Sequence, residues 1–286
     1  MLYDREKIIE LLTSDQKKDT HIHTCFSDGE LTPEQVIDRW MNEGYRVISI
    51  TDHDGIDGTL VGVDYAKDKD IEFIPGIEFD SEDPLSSEIH MLGYGFDHLQ
   101  PDFKENIEAM LERRDERNKT MQEALNKRGY GITDEDVRSV NGGRYVGKPT
   151  FARIMVNKGI IGSVQEAFSG IFREPDMRAI KKETFPAGFV IWLIHEAGGV
   201  AVMAHPMEQR KSHEPWKEFE PRLYTILDKM VRFGVDGIEC YHPSADEQQS
   251  ELLVKYAKEH NLIITRGSDF HSDVQKRDFS RYHGMD

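Results

Sequence analysis

Short apolar runs rich in β-branched residues recur along the chain, separated by longer stretches whose apolar positions return at helical spacing. Seven runs read as strands: DTHIHTC (19–25), VISI (47–50), EFIPGI (72–77), IHMLGY (89–94), VAVMA (200–204), VDGIECY (235–241) and LIIT (262–265). Most lead into an amphipathic helical pattern such as LYTILDKMVRF or QQSELLVKYAKEH, and this alternation predicts an α/β fold with a parallel sheet covered by helices. The first helix, 33–43, has a marked start. Thr32 can cap it, Pro33 suits its first position and Gln35 completes a capping box.

The rhythm breaks between Asp97 and Pro186, where FKENIEAMLERRDERNKTMQEALNKRG, ITDEDV and FARIMVNKG predict consecutive helices. Residues 15–97 and 187–286 are read as one barrel domain, and 98–186 as a helical insertion after the fourth strand that serves as a substrate lid. A length of 286 residues suits this arrangement as well as two average domains. No apolar run could span a bilayer, and MLYDREKIIELL lacks the features of a signal peptide, so a cytoplasmic protein is expected. Cys25 and Cys240 are too few for a disulfide framework and read as free thiols.

A formal net charge of −17 argues against broad adhesion to duplex nucleic acid or an anionic membrane, both of which need a basic surface. One stretch departs from that background. Between Val137 and Gln165 there is no Asp or Glu, while Arg138, Arg144, Lys148, Arg153 and Lys158 occur. Arg and Lys concentrated in this way can bind a phosphate locally. Arg138 and Lys158 are read as ordinary water-facing residues, whereas Arg144 and Lys148 lie in the Gly-rich NGGRYVGK, which can approach a ligand closely.

Metal-ligating residue types collect where strands end. His21 and His23 close the first run, Asp28 lies in the loop beyond, and His53 follows the second run in ITDHDG. Glu78 follows the third, His90 sits in the fourth, His205 closes the fifth, and Asp269 and His271 follow the seventh in GSDFH. Alternate strand residues face one side, so His21 with His23, and Asp269 with His271, can reach a common ion. In a parallel barrel the loops after all strands crowd one mouth, which brings such scattered residues together. Six imidazoles and three carboxylates exceed the needs of one ion and suit manganese, zinc or iron, so two to three divalent transition-metal ions are expected, with Glu78 as the bridging carboxylate. A lone histidine is ordinarily structural or exposed, and His195 and His260, on helical patterns, are read so.

In order, DTHIHTCFSDG, ITDHD, PGIEF, EIHMLGY, AHP, IECYHP and GSDFH resemble the motifs of PHP-domain (polymerase and histidinol phosphatase) phosphoesterases, from Asp19 to His271. The resemblance implies a distorted (β/α)7 barrel and a trinuclear site. His21, His23, Glu78 and Asp269 would hold one metal, Glu78, His90 and His205 a second, and Asp28, His53 and His271 the third. Within the family the insertion is similar to that of nucleoside 3',5'-bisphosphate phosphatases, a group that includes RNase AM-type enzymes. The matching residues are RRDERNKTM, with Arg113, Arg117 and Asn118, and GKPTFARIMVNKG, with Lys148, Pro149, Thr150 and Arg153. Many relatives read Arg-Pro-His in the second segment, so Lys148 and Thr150 depart from the common form.

The leading expectation is a metal-dependent phosphomonoesterase that removes the 3'-phosphate of nucleoside 3',5'-bisphosphates by metal-activated water, with trimming of short RNA from a 5' end as its extension. Its partner is a small phosphorylated substrate, a nucleotide or short oligonucleotide. Arg113, Arg117, Arg144, Lys148 and Arg153 are the candidates for holding that substrate. His242, in YHPS after the sixth strand, is the candidate acid for the leaving oxygen, with a substrate contact or a packed side chain as alternatives. Asp54 and Asp19 are expected to orient ligating imidazoles. Two other readings stay open: another small-molecule phosphatase, such as one for histidinol phosphate, and a non-catalytic metal-binding PHP module.

Overall fold

The computed structural model describes residues 4–140 and 146–273. The chain runs through α1 (Arg5–Thr13), β1 (Lys18–Ile22), α2 (Pro33–Asn42), β2 (Val47–Ile50), α3 (Asp57–Ala66) and β3 (Glu72–Phe73), then through β4 (Gly76–Asp83) and β5 (Ser86–Tyr94). Five helices follow: α4 (Pro101–Lys127), α5 (Asp134–Val140), α6 (Lys148–Asn157), α7 (Val164–Ser169) and α8 (Pro175–Ala179). The chain returns through β6 (Phe185–Pro186), α9 (Ala187–Glu196), β7 (Val200–Met203), α10 (Trp216–Phe233), β8 (Gly237–Tyr241), α11 (Glu247–Glu259) and β9 (Ile263–Arg266). The capping box at Thr32 and Gln35 forms as predicted, with Pro33 in the first turn of α2.

β1, β2 and β3 form one sheet, and β6, β4, β5, β7, β8 and β9 form a second in that order. The pairs β1–β2, β7–β8 and β8–β9 are parallel, as strand–helix alternation predicts. The middle of the fold departs from that prediction. EFIPGI breaks at Pro75, which has no N–H for a ladder, so Glu72–Phe73 stays beside β2 while Gly76 begins a separate strand. Only residues 84 and 85 then separate β4 from β5, far too few for the crossover that a parallel pair needs. The two strands pair antiparallel from Gly76↔Tyr94 to Asp83↔Ser86, and β5 also runs antiparallel to β7. The described residues therefore hold nine strands in a mixed arrangement where seven parallel ones are expected.

Single parallel bridges, Ile22↔Phe270 and His53↔Glu78, join the flanks of the two sheets. At the first, the Asp269 N–H donates to His21 O over 2.8 Å, and at the second the Asp54 N–H donates to Glu78 O over 2.8 Å. Both bridges lie among the predicted ligands. α1 buries Ile8, Leu11 and Leu12 against Val47, Ile74, Tyr94 and Val200, at the end where β2 and β7 begin.

α4 connects two cores. Phe103, Ile107, Met110 and Leu111 pack with side chains of β4, β5 and α9, whereas Met121 and Leu125 pack with Phe151, Met155, Phe172 and Met177 of the helices that follow. Between these apolar stretches lies a buried polar turn, Arg114, Arg117 and Asn118, whose spacing puts all three on one face. Among the described residues no helix is long and apolar enough to cross a membrane.

Candidate metal centre

Glu78 is third in β4, a strand residue rather than a loop residue, and it is 1% exposed. Five imidazoles surround its carboxylate. Oε1 lies 2.9 Å from His90 Nδ1 and 2.9 Å from His205 Nε2. Oε2 lies 3.4 Å from His21 Nε2, 3.2 Å from His23 Nε2 and 3.1 Å from His53 Nδ1. Asp269 Oδ1 approaches the first pair, 3.5 Å from His21 Nε2 and 3.2 Å from His23 Nε2. On the far side Asp28 Oδ1 meets His271 Nε2 at 3.1 Å, and the His23 ring lies 4.2 Å from that of His271 and 4.6 Å from that of His53.

All nine predicted ligands therefore converge. Their donor atoms form the groups His21–His23–Glu78, Glu78–His90–His205 and His23–Asp28–His53–His271, while Asp269 groups with His21 and His242, and His53 and His90 group with Asp80, each set compact enough to surround one ion. His242 joins Asp269, its Nε2 3.3 Å from Asp269 Oδ2, while Ser244 Oγ lies 2.7 Å from its Nδ1. A cation fits these groups on two grounds. Imidazole with carboxylate is the donor set of borderline transition metals. In addition, Asp28 Oδ1, Glu78 Oε2, Asp80 Oδ1, His90 Nε2, His205 Nδ1 and His242 Nε2 are buried without a hydrogen bond, a cost that coordination would remove.

The electrostatics point the same way. Burial opposes charge on His53, but Glu78, Asp80 and Asp28 outweigh it and raise its pKa to about 9. Burial is likewise outweighed at His271 by Asp28 and Asp269, which raise it to about 10. Burial would raise the carboxyl pKa of Glu78, yet His53, His21 and His90 hold it well below the usual carboxylate range. The cluster is a well of negative potential in which protons stand where metal cations could.

The backbone is bent to serve this geometry. Among the described residues, three of the five non-glycine residues with positive φ, Asp54 (51°), His205 (26°) and Asp269 (49°), lie at the site, a concentration of strain typical of functional positions. Among the described contacts neither Asp54 nor Asp19 meets a predicted-ligand ring, although Asp19 Oδ1 accepts from the His21 backbone N–H at 3.3 Å. Asp19 accepts from Trp40 Nε1 (2.8 Å) and the Ser268 N–H (2.9 Å), while Asp54 accepts from the Asp80 N–H (2.9 Å), Arg114 and Lys182. The orienting role falls instead to Glu239, fully buried on β8, which accepts from His21 Nδ1 at 3.1 Å and from the His205 N–H at 2.8 Å. Neither Glu239 nor Asp80 stands in a His-x-His or Asp-x-His spacing, and neither was singled out from the sequence.

The predicted substrate residues divide. Half-buried Lys148 lies within electrostatic reach of Arg117 and Glu88, and Glu88 Oε1 lies 3.7 Å from His90 Nε2; burial, then Arg117, lowers the Lys148 pKa. Arg153 lies on the other side, donating to the Asp28 carbonyl. It borders a cleft of about 1010 Å³ between α6–α7 and the cluster, where Pro149 and Phe168 face Asp28, His242, Asp269 and His271. Arg113 stacks over the Phe185 ring at 4.6 Å. Arg144 lies outside the described residues. Thr150 caps α6, its Oγ accepting from the Gly147 N–H at 3.2 Å, and Asn118 Nδ2 donates to Val146 O at 2.8 Å. Lys158 pairs with Asp136 at 3.0 Å, His195 with Asp236 at 2.7 Å, and His260 stacks on Tyr256 at 4.2 Å, all away from the cluster.

The chain matches the PHP domain over residues 19–268. It is 28% identical over 256 residues to a 5'-3' exoribonuclease of Haemophilus influenzae, covering 90% of each chain. It is also 28% identical over 255 residues to the 3',5'-nucleoside bisphosphate phosphatase of Chromobacterium violaceum, covering 89% of this chain and 87% of that one. A solved structure from Bifidobacterium adolescentis, assigned as a metal-dependent phosphoesterase, aligns with a TM-score of 0.78 at 27% identity, covering 91% of this chain and 89% of that one.

Proposed function

The chain belongs to the PHP domain family of metal-dependent phosphoesterases, and from that premise we propose that it hydrolyses the 3'-phosphate of nucleoside 3',5'-bisphosphates. The observation that carries this reading is the position of Glu78. One buried carboxylate meets five imidazoles, with Lys148 toward Glu88 on one flank of the cluster and an open cleft bordered by Arg153 on the other. A substrate with a reacting phosphate, a second phosphate and a base has three arms, and this site offers three different surroundings.

In this reading His21, His23, Glu78 and Asp269 hold one ion, Glu78, His90 and His205 a second, and Asp28, His53 and His271 a third, each manganese, zinc or iron. Such ions supply Lewis-acid activation of water and neutralise charge on the phosphoryl oxygens when bound. Arg117 and Lys148 hold the phosphate that is not cleaved, and Arg153 borders the cleft that receives the rest of the substrate. Arg113 stays in the set as an outer contact, and Arg144 on its sequence context alone. His242, whose Nε2 meets Asp269 and whose residue lines the cleft, is the candidate proton donor to the leaving oxygen. The two sheets, bridged at both flanks, are read as a distorted α/β barrel of mixed strand direction, with 98–186 as its helical insertion and lid.

A second reading, trimming of short RNA from its 5' end, is favoured by one observation. An exoribonuclease is as similar to this chain as the bisphosphate phosphatase is, at 28% identity. The test compares purified, manganese-supplemented protein on a nucleoside 3',5'-bisphosphate, a nucleoside monophosphate, histidinol phosphate and a short 5'-phosphorylated RNA. Preference for the bisphosphate, with or without RNA trimming, is expected. Preference for histidinol phosphate, or no hydrolysis at all, would contradict the proposal.

A further inference from the structure

We propose that Asp80 is a positioning residue through which the helical segment between β5 and β6 holds the imidazoles of His53 and His90 in place. Asp80 is on β4, two residues beyond Glu78 and on the same face. Its Oδ1 lies 3.1 Å from His53 Nδ1 and 3.6 Å from His90 Nε2. His90 Nδ1 faces Glu78 Oε1, so Asp80 stands at the outer nitrogen of that ring, where a carboxylate can fix tautomer and orientation. At His53 it shares Nδ1 with Glu78 Oε2, and because His53, Asp80 and His90 are compact enough to surround an ion, loss of a whole ion equivalent is what separates a ligand from a positioning carboxylate.

The other oxygen points toward the helices. Asp80 Oδ2 takes Lys182 Nζ at 2.7 Å and Arg114 Nη2 at 3.1 Å, the first from the chain after α8 and the second from α4. Both cations also pair with Asp54 Oδ2, and Asp54 Oδ1 accepts from the Asp80 N–H at 2.9 Å. Two carboxylates and two cations thus form a buried quartet in which the Lys182 side chain is 8% exposed and Arg114 3%. A buried arrangement of this kind is stable only when complete, because removal of one member leaves its partners' charge uncompensated. Docking of the helical segment and the orientation of Asp80 are therefore one event. A shift of the segment withdraws both cations, and Asp80 loses its hold on rings that belong to two different ligand groups.

The test reads ion affinity, not turnover, by competition of zinc or manganese with a chromophoric chelator on the full chain. Asp80→Asn should weaken binding by about 10- to 100-fold. Lys182→Met, which touches no imidazole, should weaken it by about three- to tenfold, and the double variant should be no weaker than Asp80→Asn alone. Lys158→Met, whose amine meets only Asp136 in the described ion pairs, should bind like wild type. If Lys182→Met matches wild type, or the two effects multiply, the inference fails. It fails also if Asp80→Asn loses a whole ion equivalent while Lys182→Met loses nothing, since Asp80 would then be a ligand. If Asp80→Asn does not fold, Lys182→Met against Lys158→Met decides alone. The inference rests on the reading that the cluster holds ions. Wild-type protein that takes up none contradicts that reading, whereas full uptake with an unaffected Lys182→Met contradicts this inference alone.

Discussion

The strand-end cluster and the helical segment beside it handle charge in opposite ways. At the cluster, charge is enclosed: His21, His23 and Glu78 are at most 1% exposed, and carboxylates and imidazoles compensate one another within a few ångströms. In the segment the cations stand at a border. Lys148 and Arg153 are half-buried and face either flank of the cluster. Enclosed charge costs much unless its partners are present, so the cluster is built to take up cations. Border charge is available to an incoming anion. On the proposed reading the reaction belongs to the strand ends and the choice of substrate to the helices, and substitutions can pull the two apart.

The largest effect should come from the cluster itself. Asp269→Asn or His205→Ala should lower kcat/KM on every phosphoester by about 10³-fold or more, since several kcal/mol of Lewis-acid stabilisation are lost at about 1.4 kcal/mol per tenfold. Circular dichroism should show a folded protein, because each change removes a donor rather than a core contact. A folded variant with full activity would break the assignment.

His242→Asn should come next, lowering kcat by roughly 10²- to 10⁴-fold on a substrate with a poor leaving group. The loss should shrink on p-nitrophenyl phosphate, whose leaving oxygen needs little protonation. An equal loss on both would make His242 a ligand or a packing residue.

The helical segment should show the smaller and more selective effect. Lys148→Ala should reduce efficiency toward a nucleoside 3',5'-bisphosphate by about 10- to 100-fold, since a charge-assisted contact contributes about 1.5 to 3 kcal/mol, and far less toward p-nitrophenyl phosphate. Arg153→Ala tests the opposite flank in the same assay. Equal losses on the two substrates would move these residues into the chemical step, and no loss would return them to a solvated face.

The same contrast explains what was legible in the sequence. Four of the nine candidate ligands stand in His-x-His and Asp-x-His, a spacing that solvent-exposed residues have no reason to repeat, and the other five were legible from their places within or after apolar runs. Strand pairing was less legible, since the turn at residues 84 and 85 that makes β4 and β5 antiparallel looks like any loop in a βα unit. In the helical segment the face of α4 that meets the cluster depends on how two separate cores seat the helix. Arg114, beside the predicted Arg113, is the residue that reaches Asp80, while Arg113 turns to Phe185. Lys182, in a Lys-Lys-Glu run, carried no local signal, and Glu239 and Asp80 were concealed by strand positions that could equally have faced water.

The most direct measurement is the number of transition-metal ions bound per chain, by elemental analysis after reconstitution and removal of excess metal, in wild type and in Glu78→Gln. Because Glu78 belongs to two of the candidate ligand groups, wild type should retain more than one ion and Glu78→Gln should lose at least one of them. Wild type holding one ion or none, or Glu78→Gln holding as many as wild type, would contradict the account.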